Sequence, residues 1–133
     1  MIPAVWLGVA GLAGLLGVAA IVYNWDEILD WLHDFLPKIS KMVRAMSKNF
    51  GPEFEHAAIM VADMLDSVDA KIEHKLYHKI GHQEWMEEVT RRTLPEKELP
   101  PAIKRKIAKA RKQREEADIT DEIEKELDMS LDG

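Results

Sequence analysis

The stretch Ile2–Val22, running on to Tyr23, carries no charged side chain, and the first strongly polar residue after it is Asn24. A helix needs about 20 apolar residues to cross a bilayer core of roughly 30 Å, and this run is long enough. In lipid a backbone must satisfy its own hydrogen bonds, so the run would have to be helical. Trp6 at one end and Tyr23 and Trp25 at the other lie where interfacial aromatic anchors belong. The run therefore predicts a transmembrane helix over residues 1–23. A cleaved signal peptide is the rival reading, with its basic n-region and apolar core of about 7–15 residues. No Lys or Arg precedes this run and the run is longer than that, although Val18-Ala19-Ala20 resembles a cleavage site.

Small residues stud the same stretch. Gly8, Gly11, Gly14 and Gly17 recur every three residues, with Ala10 and Ala13 among them. Small side chains at such spacings let membrane helices approach closely. A step of three falls about 60° short of a turn, so the glycines wind around the helix and offer surface to two neighbours. These six residues are the expected packing or pore-lining set of a homo-oligomer of more than two subunits. The plainer reading is an anchor, since glycine is common in membrane helices. The basic residues all follow the run, beginning at Lys38. The positive-inside rule then places the N-terminus outside and the body in the cytosol, at the bacterial inner membrane.

The net charge of −6 conceals a strong segregation. Residues 1–37 hold four acids and no Lys or Arg; residues 38–52 hold four bases and no acid. There is no cysteine, which removes disulfides and thiolate metal sites. No alternation of useful length suggests a strand, so the expected fold class is all-α: one N-terminal transmembrane helix followed by a small cytosolic helical bundle. The expected division is a span at 1–23, a helical body at 24–93, a proline-bounded linker at 94–101, and a basic-then-acidic tail at 102–133.

Asn24 is a good N-cap, with Asp26 and Glu27 in the first turn where the helix dipole favours acids. Trp25, Ile28, Leu29, Leu32, Phe35, Leu36, Ile39, Met42, Val43 and Met46 form the apolar stripe of a helix that Pro37 should kink. Asn49-Phe50-Gly51-Pro52 breaks the chain. Phe54, Ala58, Val61, Leu65, Val68, Ile72 and Leu76 then follow a heptad-like rhythm, predicting a helix that runs to about Ile80 and stops at Gly81. Gln83 to Arg92 predicts a further short helix. In the tail, Ile103, Ile107 and Ala110 give the basic part a thin seam, and Ile119, Ile123 and Leu127 do the same for the acidic part. Either seam would be helical if docked, on the other or on a neighbouring subunit, and otherwise disordered.

Three groups of residues could carry chemistry. His74 and His78 are one helical turn apart, which is metal-ligand spacing. No correctly spaced acid completes a motif, so surface histidines are the better reading and neither a metal nor a cofactor is expected. Asp26, Glu27, Asp30 and Asp34 follow the span and could ring a pore mouth, concentrating cations. Lys38, Lys41, Arg44 and Lys48 share one helix face and suit phosphate: a nucleotide, single-stranded nucleic acid or anionic lipid. No phosphate-binding glycine loop and no catalytic order of Ser, His and Asp is present, so an enzyme is not expected.

Two functions remain. One is a homo-oligomeric channel or pore-forming effector, gated by its cytosolic helices through a phosphate-rich ligand or a regulatory protein. The other is a membrane-tethered helical scaffold or adaptor that recruits a protein partner, a virion membrane component included. One glycine-rich span at Ile2–Tyr23 with a small helical body behind it resembles, in layout, the single-span membrane effectors of bacterial antiphage, abortive-infection systems. The resemblance implies a toxin-like effector that permeabilises the host's own membrane on a signal.

Overall fold

The structure, a computed structural model, describes residues 20–131. Asn24 opens the first helix, α1 (Trp25–Phe50), as the capping argument requires: its side-chain carbonyl accepts from the Glu27 amide at 3.0 Å. The Glu27 carboxylate answers by accepting from the Tyr23 amide at 2.8 Å, which ties the first turn back to the residue before the cap. α1 continues through Pro37, whose ring lies on the exposed side. Gly51, at φ +60°, ends it and donates to Ser47 O.

After α1 the chain leaves the helical plan. β2 (Phe54–Met64), β3 (Asp69–Ile80) and β4 (Met86–Pro95) form a meander of long antiparallel strands. Two short strands, β1 (Ala20–Ile21) and β5 (Ala117–Asp118), flank it, and the five-stranded order is β1-β4-β3-β2-β5. α2 (Pro101–Lys112) and α3 (Thr120–Leu127) complete the fold. The all-α expectation, bundle included, is thus overturned: the fold is mixed α/β. The heptad-like helix of residues 54–80 is the β2–β3 hairpin, and the helix expected over 83–92 falls largely in β4.

The reason lies in which residues face inward. In register, Phe54, His56, Ala58, Met60, Ala62 and Met64 of β2 oppose Ile80, His78, Leu76, His74, Ile72 and Ala70 of β3. Three of these positions on each strand are weakly apolar or polar, while the outward row includes Ala57, Ile59 and Val61. The period of two that marks a strand is therefore diluted on both faces. The turn is local chemistry: the Asp66 carboxylate accepts from the Val68 and Asp69 amides at 2.8 and 2.7 Å. Gly81, at φ +57°, turns the chain between β3 and β4 instead of ending a helix.

The transmembrane expectation is also corrected. Ala20 and Ile21 pair in parallel with Arg92 and Thr93 of β4, and the Val22 amide donates to Thr93 O at 2.8 Å. The described end of the run, Ala20–Ile21, is thus extended backbone where a helix through Tyr23 was expected. Among the described residues no helix is long and apolar enough to cross a membrane. The single-span placement, with its N-out, C-in orientation and inner-membrane location, does not stand. α1 has the length, but it is apolar on one stripe only. Gly8, Gly11, Gly14, Gly17, Ala10 and Ala13 lie outside the described residues.

α1 lays that stripe, Ile28, Leu32, Phe35, Leu36, Ile39, Val43 and Met46, on the inner face of the sheet. Ile103 and Ile107 of α2 and Ile123 of α3 join the same core, as do Ala117 and Ile119. Trp25 Nε1 donates to Glu126 at 3.3 Å and ties α1 to α3. Lys106 bridges α2 to Glu122 of α3. The outer face of the sheet carries a ladder of charge: Lys71 with Glu73 and Glu116, Lys75 with Glu116, Lys79 with Glu55, and Arg91 with Glu73.

Candidate functional site

Where α1 crosses β2 and β3 it leaves a cleft of about 160 Å³. One wall is the edge of the α1 stripe: Ile39, Ser40, Val43, Arg44 and Ser47, spaced as one helical face. The other wall is His56 and Ala58 of β2 with Leu76 of β3, and Leu131 closes one side. Ala58 opposes Leu76 in the ladder, and its lone methyl leaves the space a larger residue would fill. A second hollow of about 320 Å³ adjoins the first. It is lined by Leu36, Pro37, Met129 and Ser130, and it shares Ser40 and Arg44 with the first. Arg44 therefore stands on the wall between the two.

Ser40, Ser47, Arg44 and the His56 ring can donate hydrogen bonds into the cleft. Ile39, Val43, Ala58, Leu76 and Leu131 make an apolar floor. Arg44 is exposed and has no ion partner among the described residues. A guanidinium is a planar fork that grips phosphate or carboxylate through two parallel bonds. The site thus has a rim of hydrogen-bond donors, a guanidinium among them, over an apolar base. His56 stacks on Phe54 at 5.5 Å between centroids, which holds the imidazole against the strand.

Of the basic face read from the sequence, the fold brings Arg44 to the cleft. Lys41 and Lys48 are exposed on α1, less than and about one turn from it, where they add field but do not line the hollow. Lys38 is bound to Asp34 at 2.9 Å across one turn. Ser40, Ser47 and His56 escaped sequence reasoning. The spacing of Ser40, Arg44 and Ser47 was a local signal for two of them; His56 had none. The acids expected at a pore mouth occupy the first three turns of α1. Glu27 accepts from the Tyr23 amide, and Asp26, Asp30 and Asp34 face outward.

His74 and His78 lie on β3 and not on a helix, so four residues separate them by about 13 Å. Both point inward, and they cannot share one ion. Among the described residues no three His, Asp or Glu side chains gather as a metal site. His74 is 1% exposed, its ring edge-on to Phe35 at 5.1 Å. It sits between Met60 and Thr90 in the ladder. Its Nε2 and the Thr90 hydroxyl have no hydrogen-bond partner among the described residues. Burial pushes the His74 pKa down to about 4, so the ring is neutral at pH 7.

No protein-family model, no curated protein and no solved structure matches this chain.

Proposed function

We propose that the chain is a binding module, an adaptor domain whose cleft under α1 takes a phosphate-bearing ligand. The observation that carries this reading is Arg44, exposed and with no ion partner among the described residues, on the wall shared by two hollows and flanked by Ser40, Ser47 and His56. The phosphate sits at Arg44 and the Ser40 hydroxyl, the two residues that line both hollows. The remainder of the ligand, a base or a short acyl chain, lies against Leu36, Pro37 and Met129 in the larger hollow. Binding suits the lining better than catalysis. It holds no carboxylate, and no hydrogen bond joins His56 to either serine among the described residues. A pore needs a span, and none stands among the described residues. The adaptor reading does not depend on one.

Titration calorimetry with inorganic phosphate, AMP and ATP tests this. Charge-assisted hydrogen bonds are worth about 1.5–3 kcal/mol, so Arg44→Gln is expected to weaken binding by roughly 10- to 100-fold. Lys41→Gln with Lys48→Gln should weaken it only a few-fold, and only at low salt, because those charges act at a distance. Absence of heat for all three ligands, or equal affinity in the Arg44→Gln protein, would overturn the reading.

A further inference from the structure

α2 is an island of positive charge. Seven bases and no acid lie between Lys104 and Arg114. Of these only Lys106 has an ion partner among the described residues, Glu122 of α3. The apolar residues Ile103 and Ile107 are buried in the core, so α2 has no free apolar stripe to insert into a lipid surface. Its outward row is Arg105, Lys109 and Lys112, all exposed, at spacings of four and three. That row is roughly 10 Å long at about 1.5 Å per residue.

The start of α1 carries the opposite pattern. Asp26, Asp30 and Asp34 are exposed at spacings of four, a row of roughly 12 Å. Asp34 is paired with Lys38; Asp26 and Asp30 have no ion partner among the described residues. The two rows match in length and oppose in sign, yet no ion pair joins α1 to α2 among the described residues. Exposed apolar side chains flank each row. Leu65 (47% exposed) shares a hollow with Lys104 and Arg111 beside α2, and Tyr23 (75% exposed) precedes the acidic row.

We propose that α2 of one copy docks on the first turns of α1 of the next. Laid antiparallel, Arg105 faces Asp34, Lys109 faces Asp30 and Lys112 faces Asp26. The last turn of α2 then lies beside the first turn of α1, where the helix dipoles also attract. Two different surfaces are used, so the contact is head-to-tail and propagates into a closed ring or a filament. Exposed ion pairs are individually weak. They set register and orientation here, and the flanking apolar side chains supply burial. Nucleic acid is the competing occupant of α2, since phosphates would suit the same bases. The net charge of −6 and the acids of α3 beside α2 disfavour a polyanion, whereas the acidic row of α1 is complementary.

Charge reversal decides it, with the full chain weighed by light scattering at low and high salt. One variant carries Arg105→Glu, Lys109→Glu and Lys112→Glu; the other carries Asp26→Lys, Asp30→Lys and Asp34→Lys. The unmodified chain is expected to assemble at low salt and fall apart at high salt. Each variant alone should be monomeric, and an equimolar mixture of the two should assemble again in alternation. All six positions are exposed; should a triple variant melt early by circular dichroism, Lys109→Glu and Asp30→Lys serve as the matched pair. A monomeric unmodified chain at low salt overturns the proposal, as does assembly that survives both reversals. A labelled single-stranded oligonucleotide bound by the monomer, and released by the α2 reversal, assigns the surface to nucleic acid instead.

Discussion

Phe35→Ala is expected to lower the unfolding free energy by about 3–5 kcal/mol. Phe35 is 4% exposed at the middle of the α1 stripe. Its ring meets Trp31 at 5.4 Å and His74 at 5.1 Å, so it links the helix to the central strand. Removing it costs the transfer of the ring from water and leaves a cavity that β3, paired on both sides, cannot collapse to fill. A domain of this size commonly has about 5–15 kcal/mol in all, and the variant should sit near its unfolding midpoint in mild urea. Ser47→Ala, on the wall of the cleft, should change stability by no more than about 0.5 kcal/mol. Urea titrations followed by tryptophan fluorescence give both numbers. A loss below about 1 kcal/mol for Phe35→Ala would mean that α1 does not rest on the sheet in this way.

Acid should weaken the fold through His74 before it reaches the carboxylates. The His74 pKa is held at about 4 by burial, against an ordinary 6.5. At pH 7 the ring is neutral in the folded state and mostly neutral in the unfolded one, so it contributes little proton linkage. As pH falls below 6.5 the unfolded chain binds the proton and the folded chain does not. Stability is therefore lost through the window from 6.5 to about 4, and the loss is complete once the folded ring also protonates. Each pH unit costs about 1.4 kcal/mol, so the whole window amounts to about 3 kcal/mol and the step from pH 7 to pH 5 to about 2. His78, buried beneath the same face, has its pKa lowered by burial and adds in the same direction.

The carboxylates enter later. Burial works against the charge of Glu116, but hydrogen bonds from Lys75 and Lys71 outweigh it and hold that carboxyl down to about 2. Its ordinary value is 4.5, so Glu116 costs stability only below that. Comparing urea midpoints at pH 7 and pH 5 isolates the histidines. His74→Leu should remove about 2 kcal/mol of the difference. If the loss between pH 7 and pH 5 is undiminished in His74→Leu, the burial of this ring is not its source.

Everything the sequence settled correctly by itself concerns local chemistry. The start of α1 at Asn24 and its buried stripe were legible because a helix makes its hydrogen bonds within four residues and repeats its pattern at 3.6. The breaks at Gly51 and Gly81 were legible because positive φ favours a residue with no Cβ. For the seams of Ile103 with Ile107 and of Ile119 with Ile123 the sequence left a docked helix and a disordered tail both open; in the structure these four residues are buried. The periodicity of α1 also placed Lys41, Arg44 and Lys48 on one face, but nothing in it set Arg44 apart from its neighbours. What the tertiary structure alone decided is everything that depends on distant partners. A strand is stabilised across the ladder, and β2 and β3 hide their alternation behind inward His56, His74 and His78 and outward Ile59 and Val61. Hydropathy counts apolar residues without saying what covers them, so Ala20 and Ile21 read as the end of a span when β4 is their partner. The cleft joins Arg44 to His56, Leu76 and Leu131. No pattern within the chain announces that meeting, because it exists only once α1 lies on the sheet.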